Sequence, residues 1–147
     1  MAEAVKLVCE TCGQANRVPR ARLAEGPKCG SCGDPLVTGK VAELDLATHD
    51  KVTRGDELPI VVDYWAPWCG PCRMMAPGYE KAAAELEPHM RVAKVNTEAA
   101  QSLGARYNIR SIPTLALFVG GREVARQAGA MTNPAQIAQW VRANLPR

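Results

Sequence analysis

Aromatic side chains are scarce in this 147-residue chain, which holds one Phe, three Tyr and three Trp. The first forty residues hold none. Without aromatic faces that segment offers no platform for stacking nucleic-acid bases. Charge of one sign is lacking as well: the net charge is +3. In the first forty residues, Lys6, Arg17, Arg20, Arg22, Lys28 and Lys40 are balanced by Glu3, Glu10, Glu25 and Asp34. That excess is too small to drive phosphate binding, so nucleic acid is not an expected partner. No apolar run approaches eighteen residues, so no helical membrane span is expected. The start, Met-Ala-Glu-Ala-Val-Lys-Leu-Val-Cys, lacks a charged leader followed by a long apolar core. No secretory signal is therefore expected, and the cytoplasm is the expected compartment. No G-x-G-x-x-G follows a strand-like run, so neither a nucleotide nor a flavin is an expected ligand. Nothing in the pattern asks for an obligate oligomer, and a monomer is expected.

What the chain does have is cysteine in pairs. Its six cysteines form three C-x-x-C units, Cys9/Cys12, Cys29/Cys32 and Cys69/Cys72. In a chain without an export signal, a framework of structural disulfides is disfavoured. Three pairs of one spacing need not share one task.

The third pair organises the chain. Ile60-Val61-Val62 and Tyr64-Trp65 lead into it as a strand-like run, and a helix-like run follows from Arg73 to Glu87. A C-x-x-C at a strand-to-helix junction is a redox signature. Two intervening residues bring both sulfurs within disulfide reach in the first helical turn. The first sulfur then lies at a helix N-terminus, where unpaired N–H groups and the helix dipole favour a thiolate. The thiolate is the nucleophile of thiol–disulfide exchange. Asp63 interrupts the apolar run. It is either a solvent-facing residue on a half-exposed strand or a buried proton acceptor beneath the sulfurs, its proton affinity raised by burial.

The other two pairs read Cys9-Glu10-Thr11-Cys12-Gly13 and Cys29-Gly30-Ser31-Cys32-Gly33, sixteen residues apart. That spacing fits a four-cysteine zinc site made of two turns. So small a segment cannot bury a sufficient core alone, and a metal would supply much of its folding free energy. Local disulfides and additional redox pairs are the alternatives. The domain boundary is placed near residue 40, giving a zinc-ribbon-like module over 1–40 and a second domain over 41–147.

In that second domain the pattern predicts strands over 41–46, 60–65, 91–96, 115–119 and 123–127. Helices are predicted over 48–54 and 69–87, from 97 onward with Asn96 or Thr97 as N-cap, and after Asn133-Pro134. Pro77 falls inside the second helix and Gly120-Gly121 makes a hairpin turn. The expected class is α/β, a mixed central sheet flanked by helices. His49 and His89 have polar neighbours and are expected at the surface without a role.

The string Trp65-Ala66-Pro67-Trp68-Cys69-Gly70-Pro71-Cys72 closely resembles the active site of the thioredoxin family. The element order over 41–147 resembles the thioredoxin fold. Asp63 matches the family's buried aspartate, Trp65 and Trp68 its two active-site tryptophans, and Pro77 its helix-kinking proline. Lys94 matches a lysine near that aspartate. Ile112-Pro113-Thr114 matches the loop whose cis proline faces the disulfide, and Gly129 a glycine beside the substrate groove. With the N-terminal knuckles added, the whole chain resembles the zinc-containing thioredoxin-2 group. Tyr64 and Arg73 stand where phenylalanine and lysine are common, and both preserve size or charge.

The resemblance implies a cytoplasmic protein-disulfide reductase with Cys69, Cys72, Asp63, Trp65, Gly70, Pro71, Lys94 and Pro113 in its catalytic machinery. It implies a client-binding rim of Trp68, Ile112, Gly129 and Ala130, with Met131 beside it. It further implies one zinc on Cys9, Cys12, Cys29 and Cys32, disulfide-containing client proteins, and regeneration by an NADPH-dependent thioredoxin reductase. A competing reading makes the zinc module a client-binding or redox-sensing unit and the Cys69/Cys72 pair secondary.

Overall fold

The computed structural model describes residues 3–146. The N-terminal segment contains a hairpin that the sequence reading did not anticipate: β1 (Ala4–Val8) pairs antiparallel with β2 (Ala15–Pro19). A 3-10 turn over Arg20–Glu25 follows. Then come β3 (Ala42–Leu44), α1 (His49–Gly55), β4 (Ile60–Trp65), α2 (Gly70–Leu86) and β5 (Arg91–Asn96). The chain ends with α3 (Gln101–Arg106), β6 (Thr114–Val119), β7 (Arg122–Ala128) and α4 (Pro134–Asn144).

The five later strands form one mixed sheet in the order β3-β5-β4-β6-β7. β3, β5 and β4 run parallel, while β6 and β7 are antiparallel to their neighbours. β4 lies in the middle and both its faces are covered, which is why it reads as an almost unbroken apolar run. Alternation sorts the core into two layers. Val61, Val92, Leu115 and Leu117 meet α2 and α4 through Met75, Tyr79, Leu86, Ile137 and Val141. On the other face Val62, Tyr64, Val95 and Phe118 meet Val52 of α1 and Leu103 of α3. The Tyr79 hydroxyl reaches across the first layer to the carbonyls of Ala93 (2.7 Å) and Val61 (3.2 Å), so its polar end is satisfied where it is buried.

The N-terminal segment completes its core on the body rather than alone. Val5, Leu7, Val18, Leu23 and Leu36 pack around Cys9 and Cys29 together with Leu58, which precedes β4. Arg91, fully buried, bolts the two parts together. Its guanidinium donates to the Val8 carbonyl (2.8 Å) and the Leu36 carbonyl (2.9 Å) and pairs with Asp56 and Glu10, both at 2.8 Å. Burial opposes the Arg91 charge, but Asp56 and Glu10 outweigh it and hold the guanidinium protonated. The Glu87 carboxylate adds a second bolt, accepting from the Gly39 N–H (2.8 Å) and the Val92 N–H (3.0 Å).

Two expectations need correction. α3 begins at Gln101, not at 97, because Asn96 Oδ1 takes the N–H groups of Glu98 (2.9 Å) and Ala99 (3.3 Å) in a local turn that competes with helix. His49 is not at the surface but fully buried. Its ring packs on Tyr64, Tyr107 and Phe118, and both nitrogens have partners, Asp50 at 2.8 Å and the Tyr64 hydroxyl at 2.7 Å. Its polar sequence neighbours hid the aromatic wall that the fold supplies. His89 is exposed.

Candidate active site and four-cysteine cluster

β4 ends at Trp65, and the turn beyond it delivers Cys69 as the N-cap of α2. Gly70 and Pro71 open the helix. Proline is tolerated there because a first-turn N–H has no intrahelical acceptor. Cys69 and Cys72 are joined as a disulfide with Cα atoms 5.2 Å apart. Cys69 Sγ accepts the Cys72 N–H at 3.2 Å, so the helix end already aims a donor at the sulfur that must carry negative charge. Both cysteines are largely buried, Cys69 at 5% exposure and Cys72 at 2%.

Beneath the pair, Asp63 and Cys72 line one cavity of about 270 Å³, with Trp65, Pro77, Tyr79 and Lys94 around them. Burial pushes the Asp63 carboxyl up to about 7; Lys94 opposes that shift and Glu43 adds to it. Asp63 Oδ1 has no hydrogen-bond partner among the described residues. Register explains the grouping. Lys94 of β5 stands beside Asp63 of β4, and Glu43 of β3 stands beside Lys94. Trp65, two residues beyond Asp63 and so on the same face, donates its indole N–H to Glu43 (3.3 Å) and carries the Lys94 ammonium 4.6 Å from its ring centroid.

On the solvent side, the Ile112–Pro113 peptide bond is cis and the Ile112 carbonyl lies 3.8 Å from Cys69 Sγ. The Gly129 N–H donates to the Pro113 carbonyl at 2.9 Å, which draws the Gly129-Ala130 segment beside that loop. Trp68 is 68% exposed, an unusual degree for so large an apolar surface. The fold thus brings Cys69, Gly70, Pro71, Cys72, Asp63, Trp65 and Lys94 together, with Trp68, Ile112, Pro113, Gly129 and Ala130 at one end of the sheet. Two contributors escaped the sequence reading. Glu43 reaches the site through the register of β3, a strand of three residues with no turn signal to fix its pairing. Tyr79, four residues beyond Met75 on the same face of α2, lines the cavity as well.

The other four cysteines meet at the far end of the sheet. Their sulfur atoms all lie within 4.8 Å of one another. Cys9–Cys32 and Cys12–Cys29 are each separated by 3.6 Å, close to the edge of about 3.8 Å that four sulfurs make around a zinc ion with bonds of about 2.3 Å. The N–H groups of Thr11 and Cys12 point at Cys9 Sγ, and that of Ser31 at Cys29 Sγ. The backbone N–H groups of Cys32 and Ser31 pull the Cys29 thiol down to about 6. Asn16, unremarked in the sequence, donates to Cys29 Sγ at 3.5 Å and accepts the Gly30 N–H at 2.9 Å. Four converging sulfurs with these donors fit a tetrahedral thiolate-bound metal.

Comparison with known proteins agrees with this geometry. The thioredoxin family model matches residues 40–143, and the model described as "Thioredoxin 2, N-terminal", a zinc ribbon, matches residues 8–34. The chain belongs to the thioredoxin family. It is 42% identical to Thioredoxin C-3 of Corynebacterium nephridii over 92% of either chain, a span that reaches into the N-terminal segment. It is 42% identical to Thioredoxin 1 of Nostoc sp. over 61% of this chain and 84% of that one. It is 48% identical to the thioredoxin of Synechocystis sp. over 51% of this chain and 70% of that one. Membership makes this chain a protein-disulfide oxidoreductase, and the Cys69/Cys72 pair has the geometry of the family's active site. No helix among the described residues is long and apolar enough to cross a membrane.

Proposed function

We propose that this thioredoxin-family protein is a cytoplasmic protein-disulfide reductase with a zinc-binding module over residues 1–40 and a redox domain over 41–147, acting as a monomer. The observation that carries the reading is the shared cavity: a buried Asp63 carboxyl, its Oδ1 without a hydrogen-bond partner among the described residues, beside Cys72 and beneath a helix-capping Cys69.

The reaction starts from the dithiol. The Cys69 thiolate attacks one sulfur of a client disulfide. A Cys69–client bond forms and the client disulfide breaks, leaving the second client sulfur as a thiolate that takes a proton. Cys72 then loses its proton to Asp63 and attacks Cys69 Sγ. The Cys69–Cys72 bond forms, the mixed disulfide breaks, and the second client thiol leaves. Two electrons have moved from the protein to the client. Asp63 suits this task because burial sets its proton affinity near neutrality. Lys94 and Trp65 set the field around Asp63, and Gly70-Pro71 keeps the two sulfurs in one helical turn. Trp68, Ile112, Gly129 and Ala130, with Pro113 behind them, form the face against which an extended client segment lies. A disulfide-containing client docks there. An NADPH-dependent flavoprotein, thioredoxin reductase, returns the electrons.

Cys9, Cys12, Cys29 and Cys32 hold zinc, which supplies a cross-link between the two knuckles that their small core cannot replace. A Cys72→Ser variant tests the order of events. It is expected to accumulate a mixed disulfide on Cys69 with a client protein. Accumulation of no such adduct, or its attachment to an N-terminal cysteine, would overturn the assignment.

A further inference from the structure

Glu43 belongs neither to the redox pair nor to the four-cysteine cluster, yet three independent features tie it to Asp63. It occupies the same row of the sheet: Glu43 beside Lys94, Lys94 beside Asp63. In-register neighbours point to one face, so the two carboxylates flank a single ammonium. Its Oε2 accepts the Trp65 indole N–H at 3.3 Å. That same indole carries the Lys94 ammonium on its ring face at 4.6 Å. Among the described residues Lys94 makes no ion pair within 4.0 Å with either carboxylate. The ammonium thus stands over the indole, in the row between the two carboxylates and without a direct ion pair to either.

A buried carboxylate with a lysine to itself would hold its charge far into acid, and so low a proton affinity would make Asp63 a poor acceptor for the Cys72 proton. A second carboxylate on the far side of that lysine changes the balance. We infer that Glu43 is a positioning residue for proton transfer at Cys72: its carboxylate, anchored by the Trp65 indole, draws on the Lys94 ammonium and so leaves Asp63 free to take the proton. The inference rests on the reading of Asp63 as the proton acceptor. The other charged or titratable groups around Asp63 are Cys72, Arg73, Tyr79 and Glu80, all from α2 and all lining the same cavity. Neutralising Glu43 leaves every one of them in place.

Strands spaced by about 4.8 Å put the Glu43 and Asp63 backbones roughly 10 Å apart. At that distance across a wet sheet edge, one charge moves a neighbour's midpoint by about half a pH unit. The effect should fade in about 1 M salt, where the screening length is about 3 Å.

The test uses the full chain. The Asp63 carboxyl carbon is titrated by NMR in the oxidised wild type and in Glu43→Gln. Resolution of a preformed Cys69 mixed disulfide is followed against pH in the reduced proteins. Glu43→Gln is expected to lower the Asp63 midpoint by about half a pH unit and to move the acid limb of the resolution rate the same way, both shifts shrinking in high salt. Trp65→Phe, which keeps a ring but removes the N–H, is expected to produce a smaller shift of the same sign. An Asp63 midpoint unmoved in Glu43→Gln overturns the inference. Asp63→Asn separates the two readings. If Asp63→Asn removes the acid limb while Glu43→Gln leaves it in place, only the role of Glu43 fails. If Asp63→Asn keeps the limb, the role of Asp63 fails, and that of Glu43 with it.

Discussion

Cys69/Cys72 and the two N-terminal pairs share one spacing and one backbone hydrogen bond, yet they are built for opposite ends. In each unit the N–H four residues on returns to the carbonyl of the first cysteine: Gly13 to Cys9, Gly33 to Cys29, and Arg73 to Cys69, all at 2.9–3.1 Å. The difference lies in that fourth residue. Gly13 and Gly33 both have φ +80°, a left-handed conformation that glycine adopts without steric cost, and the chain turns away. Arg73 is helical, and α2 continues for three more turns. A closed turn leaves two sulfurs pointing at a common centre. A helix leaves one sulfur at a positive dipole end, with its partner one turn in. The surroundings follow suit. The redox sulfurs have a cavity lined by the Asp63 carboxyl below them and an exposed Trp68 beside them. The cluster sulfurs have backbone N–H groups aimed at them from their own turns. The two sites flank β4, whose six residues span about 20 Å, so sulfurs at one end cannot exchange with sulfurs at the other while the fold is intact.

The largest test of that contrast is chemical. Cys69→Ser should lower turnover of a protein disulfide by about 10³-fold or more, as expected when a nucleophile is lost. Cys12→Ser should keep turnover within about threefold at temperatures where it stays folded. Equal losses would mean that all three pairs share the electrons. Metal removal comes next. A Cys69→Ser/Cys72→Ser double variant should bind one zinc per chain, and a chelator should lower its stability by several kcal/mol, since binding free energy at such sites is folding free energy. Absence of zinc, with fewer than four free thiols, would turn the cluster into disulfides and erase the contrast. Third, Arg91→Met should cost about 3–5 kcal/mol, because it strands the buried Asp56 and Glu10 carboxylates. It should loosen the N-terminal segment while leaving the mixed-disulfide chemistry of Cys69 in place. Unchanged thermal stability would show that the bolt is not what holds the cluster to the body.

Much of this contrast was legible in the residues. The apolar run at 60–65, the Cys-Gly-Pro-Cys opening of α2 and the Asn133-Pro134 cap carry their structure locally, and each element formed where its pattern lay. The four N-terminal cysteines were legible from spacing alone. What was not legible depends on pairing between distant strands. The hairpin of β1 and β2 carries too short an alternation to read: only Val5-Lys6-Leu7 alternate before Val8 reaches the body's core, and β2 buries Val18 alone. Arg91 reads as a surface charge at a strand start; only the fold shows that three backbone or carboxylate partners from residues 8–36 close over it. Glu43 sits in a three-residue strand whose register no local signal sets. His49 was misread for the same reason, its aromatic neighbours coming from residues 64, 107 and 118.

Acid–base behaviour marks both ends: burial raises Glu10 beside the cluster and Asp63 beneath the redox pair, but Glu10 is paired with Arg91 whereas Asp63 has no ion pair within 4.0 Å among the described residues. Asp63 has a folded value of about 7 against an ordinary value of 3.8. Between those values the folded chain holds more protons than the unfolded one. The stability that Asp63 contributes is therefore complete below about pH 4 and is lost as pH rises through about 7. Asp63→Asn removes that loss. At pH 8 it should be more stable than wild type by about 4 kcal/mol, and near pH 3.5 it should show no advantage. A pH-independent difference in urea melts would place Asp63 in contact with solvent.

The smallest expected effect is on the opposite face of the same strand. Tyr64 points away from Asp63, toward α1, and its hydroxyl meets His49. The Asp50 carboxylate can only accept, so the His49 Nδ1 carries the proton and Nε2 accepts from Tyr64. Burial lowers the His49 pKa, so its imidazole is neutral when folded, and the stability it contributes is lost as pH falls below about 6.5. Tyr64→Phe leaves Nε2 buried without a donor, which should cost about 1–2 kcal/mol. Because β4 presents alternate residues to its two faces, that cost should reach neither cysteine site. Zinc content and the rate of mixed-disulfide resolution should match wild type while the melting temperature falls. A changed resolution rate would mean that the two faces of β4 are coupled, and that the redox end is tuned from the layer behind the sheet as well as from the row that contains Asp63.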